Sequence, residues 1–218
     1  MVATCEIELS LIVLNLIRYK LNKLNILATL LLVLLALFQL SEFRVCRGSS
    51  AVDIWSHIGY VSITLLPVIG IHIINVIRKN KDNRLVYAGY LISAAFVLYF
   101  VLTSNSLTGH ACLGNYVIFQ VNSKLSWLYG LYYYGFVIFG LTYSYIFARR
   151  NKNKKIRIAL YAFSAGYASF LIPTTTVNLL NRSTLQGIPS IMCGFAVILA
   201  LILSFFVMPN VGIKRFKK

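Results

Sequence analysis

Apolar residues occur in long runs along the chain, separated by short polar and charged segments. The core of a bilayer requires about 20 apolar residues per helix, and six runs are close to that length. A seventh run comes first, is shorter and carries Glu6 and Glu8. The pattern predicts an all-α polytopic membrane protein, a seven-transmembrane helix bundle forming a single domain. The approximate spans are residues 3–17, 24–41, 54–77, 85–104, 125–148, 156–180 and 187–208.

The first run has three possible interpretations. Secretory signals begin with a basic region and end at a small-residue cleavage site, whereas this run begins with acidic residues and ends in Arg18 and Lys20. We therefore interpret it as a short retained helix. The alternative that it lies on the membrane surface leaves the orientation of the other six spans unchanged.

Composition supports a membrane protein. The chain is 59% hydrophobic and only 12% charged, about half the charged fraction of a typical soluble domain. Its net charge of +16 would suggest nucleic acid binding in a soluble protein. No segment outside the apolar runs is long enough to form such a domain, so we expect the partner to be the lipid bilayer and not nucleic acid.

The basic residues predict the orientation. Seventeen of the 21 Lys and Arg residues lie at alternate junctions between the runs, including both 149–157 and the residues after 208. Because basic residues accumulate in cytoplasmic loops, these junctions are expected in the cytoplasm. The N-terminus is then outside and the C-terminus inside, in a multi-pass protein of the plasma (cytoplasmic) membrane.

The cysteines and the longest loop suggest a covered outer end. Cys46 and Cys112 both fall in predicted extracytoplasmic loops, where disulfides persist, so we predict a bond between them; two free thiols are the alternative. Cys5 and Cys193 are expected to be small packing residues. Residues 115–122 are rich in strand-forming residues and predict a short strand or hairpin over the outer mouth.

Several polar residues approach the outer boundary on different spans and define a candidate ligand-binding site. The Glu42 carboxylate is a hydrogen-bond acceptor, and His57 is a possible donor to it. A carboxylate that faces lipid would be costly in free energy. We expect one outer-half cluster made of Glu42, His57, Tyr60, Tyr133 and Asn178. The alternative is that these side chains point in different directions and anchor separate helices.

Other residues within the spans carry two interpretations each. The threonine run 174–176 provides either interhelical hydrogen bonds or substrate contacts. Pro67 and Pro173 favour kinks that open space between helices. The fifth span interleaves aromatic residues with Gly130, Gly135 and Gly140, which indicates either a pocket for a hydrophobic ligand or an aromatic belt with small-residue helix packing.

Motifs for catalysis are missing from the sequence. It has no Walker loop, dinucleotide fingerprint, HExxH or GxSxG, and its cysteine and histidine spacing matches no metal signature. We therefore assign no catalytic residues, metal or cofactor, and an enzyme is the less favoured class. The leading hypothesis is a stand-alone receptor-like protein that binds a small apolar or amphipathic ligand in its outer half, with a cytoplasmic signalling partner at residues 149–157. A small-solute carrier or membrane-embedded enzyme using the same cavity is the alternative.

Five short motifs carry a resemblance to a known type of domain: WSHIGY at 55–60, LLP at 65–67, WLYG at 127–130, LIP at 171–173 followed by Asn178, and GIP at 187–189. In this order they resemble the seven-helix membrane-sensor region at the N-terminus of some bacterial histidine kinases and diguanylate cyclases. The resemblance implies ligand or membrane sensing. This sequence departs from that pattern because it ends ten residues after Met208, and it is also similar to small stand-alone bacterial membrane proteins of unassigned function.

Overall fold

Helices dominate the computed structural model, which describes residues 1–48, 52–80, 82–103, 106–113, 116–121, 123–180 and 188–215. A two-stranded hairpin interrupts the helices after the fourth one. The elements in chain order are α1 (Val2–Arg18), α2 (Lys23–Cys46), α3 (Val52–Ile77), α4 (Arg84–Leu102), β1 (Leu107–Leu113), β2 (Tyr116–Val121), α5 (Ser123–Arg150), α6 (Lys154–Leu180), α7 (Ile188–Ile202), a π-helical turn (Leu203–Val207) and α8 (Met208–Val211).

Five helices, α2 to α6, are long and apolar enough to cross a membrane. The chain is therefore a multi-pass membrane protein by length and composition. The helices extend beyond the predicted apolar runs, most clearly in α2, which continues past Ser41 to Cys46. This extension reflects the backbone, since a helix that leaves the apolar layer still pairs its own N–H and C=O groups.

The helices form a closed ring. Each of α1 to α3 packs on the next helix along the chain, α5 packs on α3 and α6, α6 packs on α7, and α7 contacts α1. Helices α2 and α3 are the most buried of the five long helices. The apolar stretches of α2 and α3 are 67% and 78% buried, whereas that of α4 is only 22% buried. Helix α4 is therefore peripheral and leaves most of its apolar surface on the outside of the bundle.

The two internal prolines lie in helices, as the sequence predicts, and neighbouring hydroxyl groups bond to carbonyls beside each of them. Near Pro67, the Tyr132 hydroxyl donates to the carbonyl oxygen of Thr64 at 2.6 Å. Beside Pro173, the three threonine hydroxyls donate to carbonyls four residues earlier in the same helix. Each hydroxyl of the threonine run thus donates to its own helix.

The last helix changes its winding before Pro209. Over Leu203–Val207 the chain forms a π-helical turn, and the Met208 N–H bonds to the Leu203 oxygen. A proline has no N–H and its ring clashes with the carbonyl four residues earlier, so a wider turn accommodates Pro209. The backbone stays helical at Ile202 and Met208, and the helix therefore continues from α7 through α8.

The two ends of the bundle differ in character. The hairpin lies at the end of α2 that carries Cys46, and we call this the hairpin end. At the opposite, basic end, the α1–α2 connection pairs with the tail after α8 in an antiparallel bridge between Tyr19 and Lys214. The Lys20 N–H donates to the Ile213 oxygen at 2.8 Å, and the Arg215 N–H donates to the Arg18 oxygen at 3.0 Å.

Candidate functional site

The hairpin is attached to α2 at two neighbouring points. Cys46 and Cys112 form a disulfide, with a Cα–Cα distance of 5.8 Å, as predicted. The Val117 N–H donates to Glu42 Oε1 at 3.3 Å. Cys112 and Val117 are directly opposite each other in the hairpin register, and Glu42 and Cys46 are one helical turn apart. One covalent bond and one hydrogen bond therefore fix the same rung of the hairpin to the same face of α2.

The hairpin also has an apolar inner face. Val117, Phe119 and Val121 alternate along β2 and are all buried, as expected for a strand with one face against a core. The Phe119 ring lies 6.2 Å from the ring of Phe38 on α2 and 5.5 Å from that of Tyr60 on α3. The predicted hairpin is thus confirmed, and it covers this end of the bundle with packed side chains.

Two of the predicted site residues meet the hairpin. Glu42 is 1% exposed and reaches it through Val117. Tyr60 is equally buried and packs edge-on against Phe119. The Tyr60 ring also contacts Phe100 at 4.9 Å and Tyr129 at 5.6 Å. Tyr60 therefore lies in an aromatic core that joins α3, α4, α5 and β2.

Tyr133 is linked to Tyr60 through Tyr129, whose ring lies 6.1 Å from that of Tyr133, and His57 lies near the start of β1. His57 is half-buried, with Nδ1 2.7 Å from the Asp53 oxygen and Nε2 3.4 Å from Ser106 Oγ. Tyr133 is buried and lines a small apolar cavity of about 30 Å³ beside Pro67, in the centre of the bundle. The backbone of Asn178 belongs to α6, and its side chain lies outside the described residues, as does that of Cys193.

A buried hydrogen-bond network connects α3, α4 and α5. Ser93 Oγ lies 2.6 Å from the Tyr132 hydroxyl, which donates to the carbonyl of Thr64. The Thr64 hydroxyl donates to the Tyr60 carbonyl and is 3.1 Å from the Tyr129 hydroxyl. Polar groups buried among helices require such partners, so the network fixes α4 and α5 to α3 at one level.

Beside that network, a long apolar groove of about 900 Å³ separates the outward surfaces of α4 and α5. Its floor consists of buried Ile71, Phe96 and Tyr132, and exposed side chains such as Leu91 and Leu131 form its walls. The groove runs from Leu85 to Tyr99 along α4, a rise of about 21 Å. Its volume lies at the upper end of the range for small-molecule sites.

The glycines of α5 account for part of this groove. Gly135 lines it, and a Cβ added there would meet no atom within 4 Å. A Cβ at Gly140 would instead lie 3.0 Å from the Tyr167 ring of α6. Gly140 therefore allows close helix packing, as the second interpretation expects, whereas Gly135 lies beside open space in the groove.

Helix α1 holds buried polar residues that the sequence analysis did not assign to the site. Glu8, Leu11 and Asn15 share one buried face of α1, and the Asn15 amide donates to Ser204 Oγ at 3.0 Å. Glu8 is fully buried, interacts electrostatically with Glu42, and has no hydrogen-bond partner among the described residues for either carboxylate oxygen. The heptad spacing of Glu8 and Asn15, with Leu11 between them, was the available signal.

The described residues bring no three His, Cys, Asp or Glu side chains together as a metal site would need. Cys5 is a free, half-buried thiol whose Sγ lies 3.6 Å from the Ala36 oxygen of α2. Comparisons of the chain with protein-family models, with curated proteins and with solved structures find no match.

Proposed function

We propose that the protein is a receptor-like membrane protein that binds one lipid-like, amphipathic molecule in the groove between α4 and α5. The observation that carries this proposal is the groove itself, a space of about 900 Å³ with an almost entirely apolar lining. Its occupant needs a long apolar chain, because the groove extends for about 21 Å between Leu85 and Tyr99. The ligand site is thus longer than the outer-half cluster expected from the sequence.

The ends of the groove suggest how such a molecule is oriented. Leu85 closes the groove at the basic end and directly follows Arg84, whose side chain is exposed. At the other end the groove reaches Tyr99 and Leu125, close to the hairpin. An anionic head group beside Arg84 with the chain directed toward the hairpin end satisfies both the charge and the apolar lining.

Gly135→Phe tests the proposal, because the side chain would start where a Cβ meets no atom within 4 Å and would occupy groove volume. Gly130→Phe is the matched control: it lies on the same helix, a Cβ there also meets no atom within 4 Å, and Gly130 does not line the groove. The probe is cis-parinaric acid, detected by energy transfer from Trp127 in a Trp55→Phe background. We expect Gly135→Phe to weaken binding about tenfold or more, equivalent to about 1.4 kcal/mol, and Gly130→Phe to leave it unchanged.

Equal binding by both variants would refute the groove as the site. The carrier alternative is separated by reconstitution into liposomes, since a carrier moves solute across the membrane without a partner protein. For the receptor, we propose that the partner docks on the basic segment 149–157, where α5 ends at Arg150 and α6 begins at Lys154.

The full topology is part of this proposal. We propose seven spans, with α1 and the helix from α7 to α8 added to the five long ones, the N-terminus outside and the basic end in the cytoplasm of the plasma membrane. The charge distribution supports it through the positive-inside rule. The bridge between Tyr19 and Lys214 supports it too, because it places the end of α1 and the tail at one end of the bundle.

Fusions of a reporter that is active on only one side of the membrane test this topology. A reporter active in the cytoplasm is expected to work after residue 218 and to fail in the hairpin near Thr108. Activity of the same sign at both points would exclude the proposed orientation. A third fusion before residue 1 separates a spanning α1 from one that lies on the surface.

A further inference from the structure

Another cavity, of about 330 Å³, lies at the basic end of the bundle. Four helix ends surround it: the starts of α2 and α6 and the ends of α3 and α8. It is distinct from the groove between α4 and α5, with which it shares no lining residue. The polar side chains that line it are Asn22, Lys23, Lys79, Asn153, Lys155 and Asn210.

Three solvent-exposed lysines give this cavity a positive charge. Lys23, Lys79 and Lys155 come from three separate helix ends, and within the described ranges none of their ammonium groups has an ion pair or hydrogen bond. The acidic residue nearest in sequence, Asp82, uses Oδ1 to accept the N–H of Arg84 at the start of α4. Three like charges around one space repel each other, and a bound anion relieves that repulsion.

Neighbouring arginine is engaged elsewhere. Arg78 precedes Lys79, but its guanidinium donates to the Tyr143 hydroxyl and lies 4.8 Å from the centre of that ring on α5. It also lies over the ring of Phe147. The Arg78 guanidinium is therefore held by aromatic residues, and the lysines provide the positive charge at the cavity.

Asn22 and Asn153 add hydrogen-bond donors at the cavity, whereas the Asn210 amide donates to the Phe206 oxygen of its own helix. Asn22 Oδ1 accepts the Asn25 N–H at 2.9 Å, and Asn153 Oδ1 accepts the Lys155 N–H at 3.0 Å. With these oxygens used as helix caps, the remaining polar groups of both amides are N–H donors. The starts of α2 and α6 contribute the positive ends of two helix dipoles to the same space.

Lys79 occupies a backbone position that normally favours glycine. Its φ is +55°, and the Asn80 N–H bonds to the Asn75 oxygen at 3.2 Å, so α3 ends in a Schellman-type turn. A side chain in this left-handed conformation costs stability. Lysine at this position supplies a charge to the cavity that a glycine would not.

We propose that this cavity binds a phosphate group of the monoester type. A tetrahedral dianion accepts several hydrogen bonds at once, which matches three ammonium groups and the amide donors around one space. The phosphate belongs either to a dissolved phosphate or to the head group of a membrane lipid, and the experiment below separates the two. This inference is independent of the proposed ligand groove.

The test compares two triple variants that lose the same charge. The cavity variant is K23Q/K79G/K155Q, and the control variant K20Q/K152Q/K214Q removes three lysines that do not line the cavity. Glycine at 79 relieves the left-handed strain, so the single variant K79G is expected to fold at least as stably as the wild type. Each protein is purified at full length and placed in phosphatidylcholine nanodiscs.

Two arms identify the source of the phosphate. The first titrates inorganic phosphate into these nanodiscs by calorimetry. The second adds a minor fraction of phosphatidic acid and measures its retention against phosphatidylcholine by native mass spectrometry. We expect binding in at least one arm, weakened about tenfold or more in the cavity variant, because three charge-assisted contacts are lost, and unchanged in the control variant.

Each outcome decides the matter. Binding of inorganic phosphate assigns a dissolved ligand, and selective retention of phosphatidic acid alone assigns a lipid head group. Equal weakening in both triple variants would show a general effect of surface charge and would overturn the site. The site would also be overturned if the wild type bound neither inorganic phosphate nor phosphatidic acid.

Discussion

Replacing both bridging cysteines, as C46S/C112S, is expected to lower the free energy of unfolding by about 4 kcal/mol. The bond links residues 66 positions apart, and closing a loop of that length in the unfolded chain removes about this much conformational freedom. The loss should appear as a lower unfolding midpoint in an SDS titration followed by tryptophan fluorescence. Because the bond fixes the hairpin, we also expect the amides of β1 and β2 to exchange hydrogen faster.

The matched control for this experiment is Cys5→Ser, which removes the free, half-buried thiol of α1. Its effect is expected to be small, within about 0.5 kcal/mol, as for substitutions that break no special feature. If C46S/C112S destabilises no more than the control, the packing of Val117 and Phe119 holds the hairpin without the bond. The stabilising role of the disulfide would then be wrong.

Glu8→Gln is expected to do the opposite and raise the unfolding free energy by about 1–3 kcal/mol. The Glu8 carboxyl is fully buried, has no hydrogen-bond partner among the described residues and interacts electrostatically with Glu42. An amide of nearly the same shape cannot ionise beside Glu42, and it offers an N–H on that side. The same SDS titration measures the change.

Glu6→Gln provides the comparison, since it makes the same substitution on the exposed side of α1, two residues away. We expect no measurable change from it, which separates burial from net charge. Destabilisation by Glu8→Gln would contradict the expectation and would show that the carboxyl group itself is required in the folded bundle.

Hydrophobic runs predicted the order of the five long helices α2 to α6 but not their ends. The apolar run of the second span ends near Ser41, whereas α2 continues to Cys46. The hairpin covers this last turn and donates a hydrogen bond to Glu42. The disulfide was predictable because loop position and redox compartment depend on topology alone. The hairpin was predictable from the strand-forming residues 115–122.

Side-chain directions were harder to predict, because they depend on contacts between distant helices. The predicted site residues Tyr60 and Tyr133 both lie in the bundle interior, but one packs beneath the hairpin and the other lines the cavity beside Pro67. The groove forms where α4 and α5 lie apart above Ile71. No local sequence pattern specifies the distance between these two helices. The burial of Glu8 was not expected from its residue type, because glutamate is mostly exposed in folded proteins.

The bridge between Tyr19 and Lys214 links parts of the chain that lie far apart in sequence. Lys23 lies four residues after Tyr19, and Asn210 lies four residues before Lys214. The bridge therefore holds together two walls of the lysine-lined cavity. A displacement of the last helix would therefore move the start of α2 with it. The tail ties these two walls together, so the width of the cavity would follow the position of the last helix.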